Sequence, residues 1–246
     1  MKLTVIEPHQ IIDATHQLSL LEIRLIQLTL TKTFMNESMV ENRNYRIDLD
    51  ELAEEFMIPR DTAYREVKSV IDTLATRTIV LNKSLVVPGA SSKDKRIIHW
   101  VRHIDYNPTE SYVEIQWHED LVYILNTLGK DNPYSKYLLD NTKGMKSVLS
   151  IRLFRLLNKW RRTGTKSFEI EELKRLLGIE VGKYSNVVSF RRDVIDKAVR
   201  DINAKSSLYV ESIPVRAGRC IVEFKFVIKD GGGRRKQKDM YGCVLE

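Results

Sequence analysis

Cysteine is nearly absent from this chain. The only two among 246 residues, Cys220 and Cys243, stand in no metal-binding or redox spacing, which predicts free thiols in a reducing cytoplasm. No apolar run approaches the roughly 20 residues needed to span a bilayer, so no membrane partner is expected. The opening "MKLTVIEPHQ" has one lysine and no apolar core, so no secretion signal is read there and a cytoplasmic location is expected. A phosphate-binding glycine loop is also missing. "DGGGRRKQKD" lacks the following Lys-Ser/Thr pair and the strand-to-helix setting, and reads as a flexible basic spacer. None of His9, His16, His99, His103 and His118 lies one residue from another histidine, the spacing that would hold a metal beside a tyrosine nucleophile. His99 and Arg102 do have the HxxR spacing of tyrosine recombinases, with Tyr134 downstream. However, "RIIHWVRHIDY" reads as a strand, which points those two side chains to opposite faces. The expectation is a protein without catalysis, cofactor or metal.

What the chain has is an uneven distribution of charge. Hydrophobic residues make up 43% and charged residues 30%, the composition of a globular protein with real cores. Its net charge is +7, but residues 1–144 carry −4, residues 145–228 carry +9 and residues 229–246 carry +2. A basic second part beside a mildly acidic first part predicts that the second part meets a polyanion.

The chain also repeats itself. "LSLLEIRLIQLTLTK" near the start returns as "SVLSIRLFRLLNKW", with Ile23-Arg24-Leu25 matching Ile151-Arg152-Leu153 at an offset of 128. "IDLDELAEEFMI" returns as "FEIEELKRLLGI" at an offset of 121. In the earlier copy Asp48 and Glu51 have capping-box spacing, and Leu52 with Phe56, like Leu173 with Leu177, repeat at i and i+4 and predict one buried face. A third helix follows in each copy. Ala63, Val67, Val70, Ile71 and Leu74 form one apolar stripe, and Phe190, Val194, Ala198 and Ile202 form the other. Alternating segments come next: "TIVLNK", "RIIHWVRHI" and "YVEIQW" in the first copy, "LYVESIPV" and "RCIVEFKFVI" in the second. Helix, short strand, helix, turn, helix and hairpin is the order of a helix-turn-helix with a wing. The predicted fold is therefore α+β, two tandem winged-helix domains related by duplication. The expected boundaries are residues 1–144 and 145–229, with a flexible basic tail over residues 230–246.

"SIRLFRLLNKW", "FEIEELKRLLGI", Tyr184, "FRRDVIDKAVRDIN" and "AGRC" ahead of "IVEFKFVI" resemble the replication initiator (Rep) family of iteron-controlled plasmids. The resemblance spans roughly Leu18 to Lys229 and is densest in the second copy. It implies a protein that binds direct origin repeats in double-stranded DNA as a monomer. As a homodimer it would repress its own promoter at an inverted repeat. Host initiator, replicative helicase and chaperones are implied partners. The other readings are a transcriptional repressor without an origin role and a scaffold that recruits host replication proteins.

A recognition helix reads bases from its N-terminal turns. In the second domain Arg192 is expected to face outward beside Ser189 and Arg200, and to meet a base edge, with guanine the best fit. Arg191 falls on the buried stripe and must snorkel toward a phosphate or an ion pair. Lys183, Tyr184, Ser185 and Asn186 precede the helix, where they can bind phosphate; Tyr184 can equally be a core ring. Arg216 and Arg219 flank Gly218 in the expected wing. The first domain offers Arg60, Arg65 and Lys68, with Lys93, Lys95 and Arg96 in a wing loop "GASSKDKR", but Glu66 and Asp72 would repel phosphate, so weaker binding is expected there. "TIVLNKSLVV" and "RIIHWVRHI" are long and apolar for a wing, and make Val80, Ile98 and Trp100 the expected dimer contacts.

Overall fold

A computed structural model describes residues 2–34, 43–85, 87, 89–91, 93–129 and 132–231. Most of the basic tail, with Cys243, lies outside the described residues. The chain divides into two compact units, Met1–Gly144 and Met145–Glu246.

The first unit begins with β1 (Thr4–Pro8), α1 (His9–Asp13), β2 (Thr15–His16), α2 (Leu20–Thr33), β3 (Tyr45–Asp48), α3 (Leu49–Glu55) and α4 (Arg60–Leu74). It continues with β4 (Thr78–Asn82), β5 (Lys95–His99), β6 (Val101–Asn107), β7 (Tyr112–Trp117), α5 (Glu119–Asn126), β8 (Tyr134–Leu138) and α6 (Asp140–Lys143). Its centre is α2, apolar on nearly every side and correspondingly buried on nearly every side. The buried hydroxyls of Thr29 and Thr33 are satisfied within the helix, donating to the carbonyls four residues back. The N-terminus of α2 carries a full capping box: Ser19 accepts from the Glu22 amide, and the Glu22 carboxylate accepts from the Ser19 amide. That carboxylate is fully buried and also pairs with Arg77 at 3.1 Å, so it is not left uncompensated. The box expected at Asp48 and Glu51 does not form; Asp48 stands at the N-cap of α3 without a capping hydrogen bond, and its carboxylate accepts from Arg46 instead.

The second unit is built from α7 (Val148–Asn158), β9 (Thr165–Glu169), α8 (Ile170–Leu176), α9 (Val187–Phe190), a π-helical turn (Arg191–Ile195), α10 (Asp196–Lys205), β10 (Leu208–Ala217) and β11 (Cys220–Asp230). Ile151, Leu153, Phe154 and Leu157 of α7 are fully buried. A chain of edge-on rings closes the core, with Phe190 against Phe224 (5.9 Å between centroids) and Phe168 against Phe226 (6.1 Å).

The duplication survives in the caps. Ser19 caps α2 and Ser147 caps α7, again 128 residues apart. In α3 the amide of Met57 donates to Glu54 and that of Ile58 to Ala53; in α8 the amides of Gly178 and Ile179 donate to Arg175 and Lys174. Both are the same left-handed helix stop, at an offset of 121. The φ angle is +51° at Met57 and +69° at Gly178. Only glycine adopts this conformation without steric cost, about 1–2 kcal/mol for other residues. Met57 is 69% exposed, so its side chain contributes little packing in return. After allowance for the greater freedom of glycine in the unfolded chain, Met57→Gly is expected to stabilise the first unit by about 0.5–1 kcal/mol. Urea unfolding with an unchanged m-value and a higher midpoint is the measurement.

The two wings differ. In the second unit the sheet order is β10-β11-β9, so the hairpin that follows the recognition helix pairs with the strand that precedes α8. The corresponding sheet of the first unit is β3-β7-β6, which makes β6–β7 the wing of that unit. β4 and β5 are an insertion that joins β2 in a separate sheet of order β2-β4-β5. "RIIHWVRHI" is therefore not one strand. It breaks at Trp100, and β5 and β6 enter different sheets on either side of it. The Trp100 amide donates to the Arg77 carbonyl, and its carbonyl accepts from His118. The indole is 1% exposed and packs edge-on against His16 at 5.2 Å. Among the described residues, no helix is long and apolar enough to cross a membrane.

Candidate nucleic-acid interface

The recognition helix of the second unit starts at Asn186, whose side-chain oxygen accepts from the amides of Val188 (2.8 Å) and Ser189 (3.4 Å). Asn186 thus serves as the N-cap, and that oxygen is committed to the helix end rather than held out to a ligand. Before it, Lys183 and Ser185 are exposed. Tyr184 sits at φ +56° with its ring 6.1 Å from that of Phe190, a fully buried side chain. The residue is half-buried, with its ring packed under the turn.

After Phe190 the helix widens. The Asp196 amide reaches back five residues to the Arg191 carbonyl, the mark of a π-turn. The expected stripe of Phe190, Val194, Ala198 and Ile202 is buried, and Ile195 joins it. Arg191, which an even 3.6-residue period places on that stripe, is instead half-exposed and lies 3.6 Å from Asp196. Ser189 is half-buried, Arg200 is exposed, and Arg192 is 71% exposed in its side chain. Arg192 grips its neighbour Asp193 bidentately, with Nε donating to Oδ1 (3.0 Å) and Nη2 to Oδ2 (2.8 Å). These hydrogen bonds raise the Arg192 pKa above its ordinary value and hold the Asp193 carboxyl below its own. Lys197 lies 3.6 Å from Asp193 Oδ1, the oxygen that also accepts from Arg192 Nε. Arg200 lines a cleft with Asp193, Lys197 and Asp201, against the N-terminus of α7.

One residue of this surface is invisible to a reading that buries apolar side chains. Val188, one turn before Arg192, is 65% exposed. An apolar group in the first turn of a recognition helix can contact a thymine methyl, as an arginine there can pair with the guanine O6 and N7. At the wing, β10 and β11 shift register between Val215 and Arg216 and turn at Gly218, φ +62°. Arg216 and Arg219 are both exposed at that tip, and Arg216 donates to the Arg219 carbonyl at 3.2 Å.

The first unit presents fewer uncommitted charges. Arg60 donates to Asp50 at 2.6 Å and stacks over Tyr64, and Arg65 lies 3.7 Å from Glu66. Lys68, Lys93 and Lys95 are exposed. Arg96 is 2.6 Å from the partly buried Asp120, so it ties β5 to α5 and is not a free wing residue. The tip of the β6–β7 wing carries Glu110, paired with Arg46 at 3.2 Å. Nor do two of the three expected dimer contacts lie on the surface. Ile98 is 6% and Trp100 1% exposed, both consumed by the core of their own unit, and Val80 is half-buried on the central strand of its sheet. Among the described residues of that hairpin the exposed large apolar side chain is Ile97, at 66%, on the edge strand β5. His99 and Arg102 fall in different sheets, and Tyr134 lies on a third, pairing with Pro8.

Two helix-turn-helix units, each with a β-hairpin wing, define a tandem winged-helix protein. Profiles of replication initiators match both parts, "Initiator Replication protein, WH1" over residues 4–158 and "Initiator Rep protein, WH2" over residues 169–228. The chain belongs to the initiator replication protein family. It is 27% identical to the PI protein of Escherichia coli, over 85% of this chain and 77% of that protein. It is 21% identical to an uncharacterized 27.6 kDa protein of the same organism, over 84% and 87% of the two chains. Among solved structures it resembles the Pi initiator protein in complex with iteron DNA, with a TM-score of 0.78, 23% identity and coverage of 92% of this chain and 97% of that one. Domains 2 and 3 of RctB share the fold at a TM-score of 0.51 and 12% identity, over 85% and 81% of the two chains.

Proposed function

We propose that this initiator binds directly repeated origin sequences of the iteron type in double-stranded DNA as a monomer. As a homodimer it represses its own promoter at an inverted repeat. The observation that carries the reading is the exposed face of the first two turns of the recognition helix, with Val188 and Arg192, beside an arginine-tipped wing in a unit of net charge +9 over residues 145–228. Main reading of DNA belongs to this second unit. The first unit has a net charge of −4 over residues 1–144, an acidic wing tip and arginines already paired, and it supplies secondary contacts and the dimer interface. The protein works by binding, without bond-making chemistry of its own, in the cytoplasm. Against a recombinase-like centre in particular, His99, Arg102 and Tyr134 lie on three different sheets.

The test uses the DNA flanking the gene, where direct repeats are expected. A fragment of residues 145–231 should prefer a repeat over scrambled DNA, and a fragment of residues 1–144 should show little preference. Fluorescence anisotropy at several salt concentrations should also give a steep slope, about 0.9 in log–log terms for each phosphate neutralised. A first fragment that binds more tightly and selectively than the second would reverse the division of labour. A full chain indifferent to the repeats would remove the reading.

A further inference from the structure

We propose that Asp193 is a positioning residue for base reading: it holds the Arg192 guanidinium by one edge and presents the other edge to a guanine. The inference rests on the DNA-reading proposal above and adds to it a residue that touches no base itself.

Adjacent residues on a regular α-helix do not face each other. Arg192 and Asp193 both lie in the π-turn, where the wider coil rotates successive side chains through a smaller angle. Their carboxylate and guanidinium therefore meet edge to edge, at 3.0 and 2.8 Å. A guanidinium has five N–H donors in a fixed planar fork. Asp193 takes one on Nε and one on Nη2, which leaves the Nη1–Nη2 edge, the edge that can donate in parallel to guanine O6 and N7. An arginine on a DNA-facing surface is otherwise drawn to the nearest phosphates, which carry no sequence information. The negative charge of Asp193 opposes that capture, and the two-point grip removes rotamer freedom before the base arrives. An exposed ion pair contributes little to stability on its own. An acid beside the base-reading arginine of a basic unit also weakens general affinity. That cost is consistent with a residue retained for discrimination.

The test compares full-length wild type, Asp193→Asn and Lys197→Ala on the repeat, on its single-base variants and on scrambled DNA. Wild type should discriminate by about 5–150-fold at the base pair read by Arg192. Asp193→Asn should lower that ratio by about fivefold or more at this one position, and bind scrambled DNA more tightly. Lys197→Ala breaks the pair between Asp193 and Lys197 but leaves the grip on Arg192, so it should keep the base preference whatever it does to overall affinity. An unchanged ratio in Asp193→Asn overturns the inference. So does a loss spread evenly over all positions with a lower melting temperature, or a Lys197→Ala variant that reproduces the Asp193→Asn pattern; both show a merely structural pair. A wild type without any base preference overturns the DNA-reading proposal itself, and is recognised before either variant is compared.

Discussion

Replacing Arg192 by alanine is expected to cost about 1–3 kcal/mol at one base pair of the repeat and little at the others. Arg192 stands in the second turn of the recognition helix with 71% of its side chain exposed, and a guanidinium edge is open there. The basic residues around it should behave differently. Lys183, ahead of the helix, and Arg216, at the wing tip, are exposed where a backbone would run. Alanine at either should weaken binding to all sequences alike and reduce the salt slope by about 0.9. Measuring each variant against every single-base change of the repeat separates the two patterns. If Arg192→Ala binds the repeat as tightly as wild type, Arg192 does not read a base.

The buried stripes of both recognition helices were legible because a helix repeats its faces at short, regular intervals. Ala63, Val67, Val70, Ile71 and Leu74 needed no knowledge of the rest of the chain. The duplication was legible for a related reason, since caps and stripes are local and a copied helix keeps them. Three things were not legible, and each depends on something a period does not contain. The π-turn adds a residue to one coil, so a calculation with an even period places Arg191 on the buried face when it is half-exposed. The pairing of Arg96 with Asp120 joins residues far apart in sequence, and nothing local distinguishes that arginine from Lys95 beside it. The wing of the first unit was misplaced because β4–β5 and β6–β7 alternate in the same way. Only the pairing of Ile47 with Val113 shows which hairpin joins β3. Val188 escaped notice for the converse reason: a search for surface contacts by charge and hydrogen-bonding capacity passes over an apolar residue that the fold leaves exposed.

Ile98→Asp should unfold the first unit rather than separate a dimer. Its side chain points inward from β5 and is 6% exposed, so an aspartate there is a buried carboxylate without a partner as well as a cavity. The expected loss is about 4 kcal/mol or more, seen as a melting temperature lowered by about 10 °C or more. Any DNA-binding contribution of that unit should disappear with it. The neighbouring Ile97→Asp is a different experiment. Ile97 is 66% exposed on the outer face of β5, with the exposed Lys95 and His99 on the same face, and β5 is an edge strand. A charge there should change stability by no more than about 0.5 kcal/mol. It should still oppose the pairing of two such edges, because an aspartate is disfavoured in a strand and two copies would repel. The expected result is a folded Ile97→Asp protein that is monomeric by light scattering, binds the direct repeat normally and loses the inverted repeat. A variant that remains dimeric removes β5 from the interface. A variant that loses both DNA activities while its melting temperature is unchanged shows that this face contacts DNA and removes β5 as the proposed dimer edge.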